Sequence, residues 1–234
     1  SIDIVRSKKE NIIMMVDGNI EADTSYVQRR HFILKGHLPI ILRSDPSDVA
    51  VVGLGLGITL TATEKNPESQ SISLIELNPE MVEAHEYLKD VTGDILKKQK
   101  ISLRIDDGRN FFSMTDQKFD IITADPIHPR ISGVGYLFTK EYYQSIKNKL
   151  RRGGVICQWM PMYRISKKSF DVAFRTFSEV FENSSFWYVR GHGLFVALLD
   201  EFQIDYPQIR RQMNSSIVAK DLNSIGIHNE KEFL

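Results

Sequence analysis

The chain has 234 residues, 42% apolar and 26% charged, with a single cysteine; this excludes a disordered segment or a disulfide scaffold and describes an ordinary globular chain with one sizeable core. Thirty basic residues balance thirty acidic ones, so neither nucleic acid nor an anionic membrane is indicated as the main partner, and a small molecule is expected. The longest apolar runs, residues 12–16 and 194–199, are strand-sized and fall short of the roughly 20 residues a membrane helix needs.

Residues 2–7 and 11–16 are apolar and extended, and Asp17-Gly18-Asn19 supplies a turn before Ile20, which predicts a small N-terminal hairpin. From 26 to 42 the apolar residues recur at helical spacing, with Gly36 and Pro39 expected to break the run before Asp45-Pro46 ends it. Short apolar segments then alternate with amphipathic ones, which predicts a parallel sheet covered by helices, with strands at 49–53, 71–77, 101–105, 119–124, 155–159, 186–189 and 194–199. Asn78 is placed to cap a helix whose first residue is Pro79, with Met81, Ala84 and Leu88 on one face. Only four residues, Arg190 to Gly193, separate the last two strands. That is too short for a parallel crossover, so they must form an antiparallel hairpin.

The expected fold is therefore α/β: a Rossmann-like, S-adenosylmethionine-dependent methyltransferase fold, with a mostly parallel seven-stranded sheet ending in an antiparallel hairpin and a small N-terminal β-hairpin cap. The expected divisions are a cap over 1–46, a nucleoside-binding catalytic domain over 47–200, and a polar, weakly helical tail over 201–234. The chain starts at Ser1 without a signal-peptide pattern and stops at Leu234 in a helix-like segment, so it is read as a piece of a longer protein. Its expected location is the cytoplasm, or the cytoplasmic face of a membrane if it belongs to a larger fused protein.

Gly53, Gly55 and Gly57 follow the first strand of the sheet and open a helix, an arrangement that lets backbone N–H groups approach a nucleotide. The third glycine comes one residue too early for the dinucleotide pattern, which argues against NAD. Glu76 closes the second strand, where a carboxylate can accept both hydroxyl hydrogens of a ribose. Asp106 and Asp107 follow the third strand; each can accept from an adenine amino group or cap the helix that begins nearby. Asp125 ends the fourth strand, at the sheet edge where ligands of open α/β sheets sit. The loop after it, 130–138, has small hinges and apolar anchors, as expected of a lid.

The glycines at 53, 55 and 57, Glu76, Asp107-Gly108, Asp125 with Pro129, and Leu137-Phe138 followed by Tyr142-Tyr143 together resemble the spermidine synthase (polyamine aminopropyltransferase) family. Gly36 to Pro39 and Cys157 to Trp159 are similar above all to spermidine-synthase-like domains fused to membrane segments. The resemblance implies transfer of a three-carbon amine from decarboxylated S-adenosylmethionine to a small-molecule amine acceptor, with no metal. It further implies that Glu76 holds the ribose, Asp107 the adenine, and Asp125 positions and deprotonates the amine. It also implies a homodimer formed through the N-terminal hairpin.

Two positions depart from the family pattern: Leu56 and His128 stand where aspartates contacting cationic amines would be. Losing two charge-assisted hydrogen bonds of about 1.5–3 kcal/mol each would weaken a polyamine-like cation by roughly 3–6 kcal/mol. Glu21, Asp17, Asp23 and Asp45 are candidate replacements, and His128, grouped with Asp125 as a candidate catalytic residue, is either an acceptor contact or a part of the loop's structure. Intact S-adenosylmethionine as donor, giving a methyltransferase, and a non-catalytic nucleoside- or polyamine-sensing domain are the alternatives.

Cys157 is read as core packing. His85 is placed on a solvent-facing helix side, His192 in a turn, and neither receives a role. His31 and His37 lack a metal-ligand spacing, although His31 can reach the acceptor pocket. Trp159 and Tyr163 are candidate pocket walls. The basic clusters 97–100 and 167–168 are read as solvated helix ends.

Overall fold

A computed structural model describes residues 1–43, 45–129, 135–200 and 205–233. Three short antiparallel strands open the chain: β1 (Ile2–Arg6), β2 (Ile12–Val16) and β3 (Asn19–Asp23). This is one strand more than the expected hairpin. Asp17 and Gly18 both take positive φ, the type I′ geometry that returns a chain onto its own strand, so residues 19–23 pair with β2.

Helix α1 (Tyr26–Leu42) has the expected bounds, but neither Gly36 nor Pro39 breaks it. A proline leaves the carbonyl four residues earlier without its helical partner. At Pro39 that carbonyl belongs to Lys35, and the Thr123 hydroxyl donates to it at 3.1 Å. The defect thus becomes a fixed joint between α1 and the sheet.

The sheet elements follow in order: β4 (Asp48–Val52), α2 (Ile58–Lys65), β5 (Ser71–Glu76), α3 (Pro79–Ala84), α4 (Lys89–Thr92), β6 (Ile101–Ile105), α5 (Gly108–Met114), β7 (Phe119–Ala124), α6 (Lys140–Lys149), β8 (Leu150–Pro161), α7 (Lys167–Val180), β9 (Asn183–Val189) and β10 (His192–Leu198). The seven strands lie in the order β6-β5-β4-β7-β8-β10-β9. The first five are parallel, and β10 runs antiparallel to both β8 and β9. The expected α/β architecture is present, including the terminal hairpin; β8 is longer than its apolar centre suggested.

Side chains alternate across the sheet. Val49, Val51, Ile72, Leu74, Cys157 and Val196 face α1 and α2, whereas Ala50, Val52, Ile122, Ile156 and Phe195 face α5, α6 and α7. Both faces are covered, which is why these strands read as continuous apolar runs. Strand order reverses between β4 and β7, so their carboxyl ends frame the crevice where such sheets bind ligands.

Residues 205–233 form α8 (Tyr206–Met213), α9 (Ser216–Ser224) and α10 (Glu230–Phe233); residues 201–204 of the expected tail lie outside the described residues. This segment is more integral than its polarity suggested, because Ile209, Met213, Val218 and Leu222 join the core on the α1 side. Asp221 anchors it, accepting from Lys65 Nζ at 2.9 Å and lying 3.3 Å from the buried His37 Nε2. Among the described residues, no helix is long and apolar enough to cross a membrane.

Candidate active site

A cavity of about 470 Å³ opens over the carboxyl ends of β4, β5 and β7, roofed by the N-terminal sheet and walled by α1 and the end of β8. Gly53, Gly55, Glu76, Asp106, Asp107 and Asp125 all line it. Gly57 does not; it sits behind the loop as the left-handed N-cap of α2. A cavity of this size accommodates a nucleoside together with a small second molecule.

Gly53 leaves β4 with φ +91°, and a Cβ there would stand 3.0 Å from the Asp125 carbonyl. The two crevice-framing strand ends therefore touch through backbone, with the Asp125 N–H donating to Val52 O at 2.9 Å. Behind the loop, a Cβ on Gly57 would fall 2.5 Å from the His85 ring. His85 Nε2–H donates to Gly55 O at 3.0 Å, and burial lowers the pKa of this imidazole. His85 thus supports the glycine loop from beneath, contrary to its expected solvent-facing position; α3 ends at Ala84, and the chain turns inward at the next residue.

Glu76 is buried, and its two oxygens tie the glycine loop to the start of α3. Oε2 accepts from Leu54 N at 2.7 Å and Oε1 from Asn78 N at 2.8 Å. Burial raises its pKa, opposed by these backbone donors. Each carboxylate oxygen retains a lone pair for a ribose hydroxyl. Asp107 is the N-cap of α5, accepting from Arg109 N at 2.8 Å, and its other oxygen pairs with Arg109 NH2 at 2.9 Å. Those bonds to Arg109 lower its pKa. Asp106 accepts from Asn110 Nδ2 at 2.8 Å. The capping alternative is therefore realised at Asp107, which still borders the cavity.

Asp125 meets a partner that the sequence reading left out. Lys35, wholly buried on α1, places Nζ 2.5 Å from Asp125 Oδ1. Its ammonium also lies 5.0 Å from the centre of the Phe32 ring. Desolvation lowers the Lys35 pKa, and the Asp125 carboxylate opposes that shift. The signal available in the sequence was helical spacing: Lys35 lies four residues after His31, on the same face. Cys157 lies close enough to this pair to feel it, but burial pushes its thiol up to about 12, as suits core packing rather than a nucleophile.

His31 lines the cavity, whereas His128 does not. His128 is buried in the loop after β7, with Nε2 3.0 Å from Tyr163 O and its ring packed against Tyr163. The structure thus gives it a contact that fixes the loop, and the cavity wall at that point is Pro126 and Ile127. His192, expected in a turn without a role, is buried and stacks on His31, and its Nδ1 accepts from Trp159 Nε1 at 3.1 Å. Trp159 and Tyr163 do line the cavity.

Among the candidate replacement carboxylates, Glu21 reaches the lining, while Asp17 pairs with the Ser1 ammonium and Asp23 accepts from Ser25 N. Leu56 is buried and lines the cavity, so an apolar side chain stands at the loop position where the resemblance expects an aspartate. Residues 130–134 of the expected lid lie outside the described residues. The following turn is held by Gln158, whose Nε2 donates to Leu137 O at 3.1 Å and Tyr143 Oη at 3.0 Å. Lys100, expected in a solvated cluster, instead reaches the Ser69 carbonyl at 3.0 Å. No group of three or more metal-ligating side chains occurs among the described residues.

The spermine/spermidine synthase domain profile matches residues 33–190. A polyamine aminopropyltransferase of Pseudomonas syringae pv. tomato is 28% identical over 154 residues, covering 65% of this chain and 53% of the relative. A spermidine synthase of Dictyostelium discoideum is 29% identical over 157 residues, covering 66% and 54%. The chain thus spans about half the length of these curated relatives in the matched regions. A solved spermidine synthase in complex with the transition-state analogue AdoDATO superposes with a TM-score of 0.81 at 23% identity, covering 99% of this chain and 84% of that one, which establishes the shared fold.

Proposed function

The chain belongs to the spermine/spermidine synthase family, and from that premise we propose that it transfers an aminopropyl group from decarboxylated S-adenosylmethionine to an amine acceptor. The observation that carries this reading is the placement of Asp125 in one cavity with Glu76 and the glycine loop. A nucleoside held by Glu76 directs its substituent toward the end of β7, where Asp125 faces the incoming amine.

The chemistry asks little of the protein beyond positioning and one proton transfer. An amine near pKa 10 must lose a proton before it can attack, and a carboxylate within hydrogen-bond reach receives that proton. The nitrogen lone pair then forms a bond to the carbon beside the sulfonium, the carbon–sulfur bond breaks, and its electron pair neutralises sulfur. Methylthioadenosine leaves as an uncharged thioether. The N-terminal sheet, which exposes Val5 and Ile20, is the face through which two copies associate in this reading; a monomer by sedimentation would remove that part of it.

The test is mass spectrometry of the nucleoside product after incubation with decarboxylated or intact S-adenosylmethionine and a panel of amines. Methylthioadenosine formed only when an acceptor is present is the expected result. S-adenosylhomocysteine, or no product with either donor, would overturn the proposal.

A further inference from the structure

We propose that Lys35 selects the acceptor: its buried ammonium, fixed against Asp125, is the carboxylate's standing partner, so that the reacting amine is carried on an otherwise uncharged molecule rather than on a diamine or polyamine. The inference rests on the reading of this cavity as an amine-acceptor site.

Lys35 Nζ has no exposure and lies 2.5 Å from Asp125 Oδ1, yet Lys35 is not a lining residue. It approaches from behind, through the wall formed by α1. It also has no route of withdrawal, because its backbone carbonyl is held by Thr123 Oγ1 and its helix is buried from His31 to Ile41. Asp125 keeps 20% of its side chain exposed, which leaves Oδ2 to meet an acceptor while Oδ1 remains paired. An ammonium beside a carboxylate cancels most of its attraction for a second cation at short range.

The surroundings do not restore that attraction. His31 and His192 are held neutral by burial and by the Lys35 charge, and burial pushes the Cys157 thiol up, so none of the three adds a charge beside the pair. Glu76 is committed to two backbone donors and Asp107 to Arg109, both on the nucleoside side. On β3, Glu21 lines the cavity and has an interaction of its own, while Asp23, near enough to act on His192, accepts from Ser25 N. The rest of that side is largely apolar or aromatic, including Met14, Phe32 and Ile127. A second ammonium would be desolvated against these walls without a dedicated counter-charge.

The test is calorimetric titration of the methylthioadenosine-saturated protein with butylamine and with 1,4-diaminobutane, for the natural chain and Lys35→Met. The natural chain is expected to bind butylamine at least as tightly, and Lys35→Met to shift the affinity ratio about tenfold toward the diamine while binding methylthioadenosine as before. A natural chain that prefers the diamine, a ratio that does not move in the variant, or no binding of either amine would each overturn the proposal. Should Lys35→Met fail to fold, the ratio in the natural chain decides. Because the readout is equilibrium binding, a chain that selects amines in this way but releases no methylthioadenosine would remove the proposed function and leave the selection by Lys35 standing.

Discussion

The rings of His31 and His192 stack with centroids 3.8 Å apart and planes 15° from parallel, although 160 residues of chain separate them. Burial pushes His31 well below the ordinary histidine value and His192 down to about 4. In the unfolded chain both titrate near 6.5, so between about pH 4 and 6.5 the unfolded state binds more protons than the native one. Stability contributed by the pair therefore rises with pH across that window and is complete above it. Urea unfolding across the window should show this slope. His192→Gln, whose amide oxygen can still accept from Trp159, should flatten it by up to one proton; an unchanged slope would contradict the assignment.

Asp125→Asn keeps the shape of the strand end, removes the proposed proton acceptor and leaves the buried Lys35 ammonium without its counter-charge. Turnover should fall by about 10²–10⁴-fold, the usual contribution of a positioned base. Methylthioadenosine affinity should stay near that of the natural chain, since the residues proposed to hold the nucleoside, Glu76 and the glycine loop, are untouched. Single-turnover rates and a binding titration together check this, and undiminished turnover would remove Asp125 from the chemistry.

Glu76→Gln replaces one accepting oxygen with an NH2 that faces a backbone donor. One of the bonds to Leu54 N and Asn78 N must be lost. Leaving a buried donor unsatisfied costs about 1–3 kcal/mol, visible in chemical denaturation. Methylthioadenosine should also bind at least tenfold more weakly. Loss of stability with full nucleoside affinity would make Glu76 a structural residue only.

Gly55 and Gly57 both have positive φ, but a Cβ on Gly55 would meet open space while one on Gly57 would meet His85 and Thr92. Gly55→Ala should cost only the left-handed backbone penalty of about 1–2 kcal/mol. Gly57→Ala should add an overpacking cost of about 1–3 kcal/mol, and His85→Ala in that background should return part of it. Thermal melts of the three variants give the comparison; equal costs at the two glycines would show that His85 does not press on the loop.

Why some of this was legible in the sequence and some was not has a physical basis. The central sheet strands were readable because helices cover both faces, which makes most of their positions apolar. Strand β3 was not, since of its five residues only Ala22 is buried, and a half-exposed strand carrying Glu21 and Asp23 looks like a loop. Glu76 and Asp125 stood out because acids at strand ends interrupt an apolar pattern. Lys35 and His85 escaped for the opposite reason: a charged or polar side chain in a helix is read as facing water, and its burial depends on what packs across from it. His128 shows a further limit. Its position after Asp125 placed it near the site, but the direction of its ring depends on Tyr163, 35 residues further on.

The position of β10 between β8 and β9 bears on how the chain is made. The sheet cannot acquire its sixth member in space until the last of its strands in sequence, ending at Leu198, has left the ribosome. Until then β8, buried from Gly154 to Pro161 in the finished fold, has a bare edge and no antiparallel neighbour. Such an edge invites pairing with another chain. The β9–β10 hairpin, closed by a tight turn at Arg190-Gly191, can form locally and then dock as a unit. Synthesis halted before Leu198 would leave an aggregation-prone fragment rather than a smaller working domain.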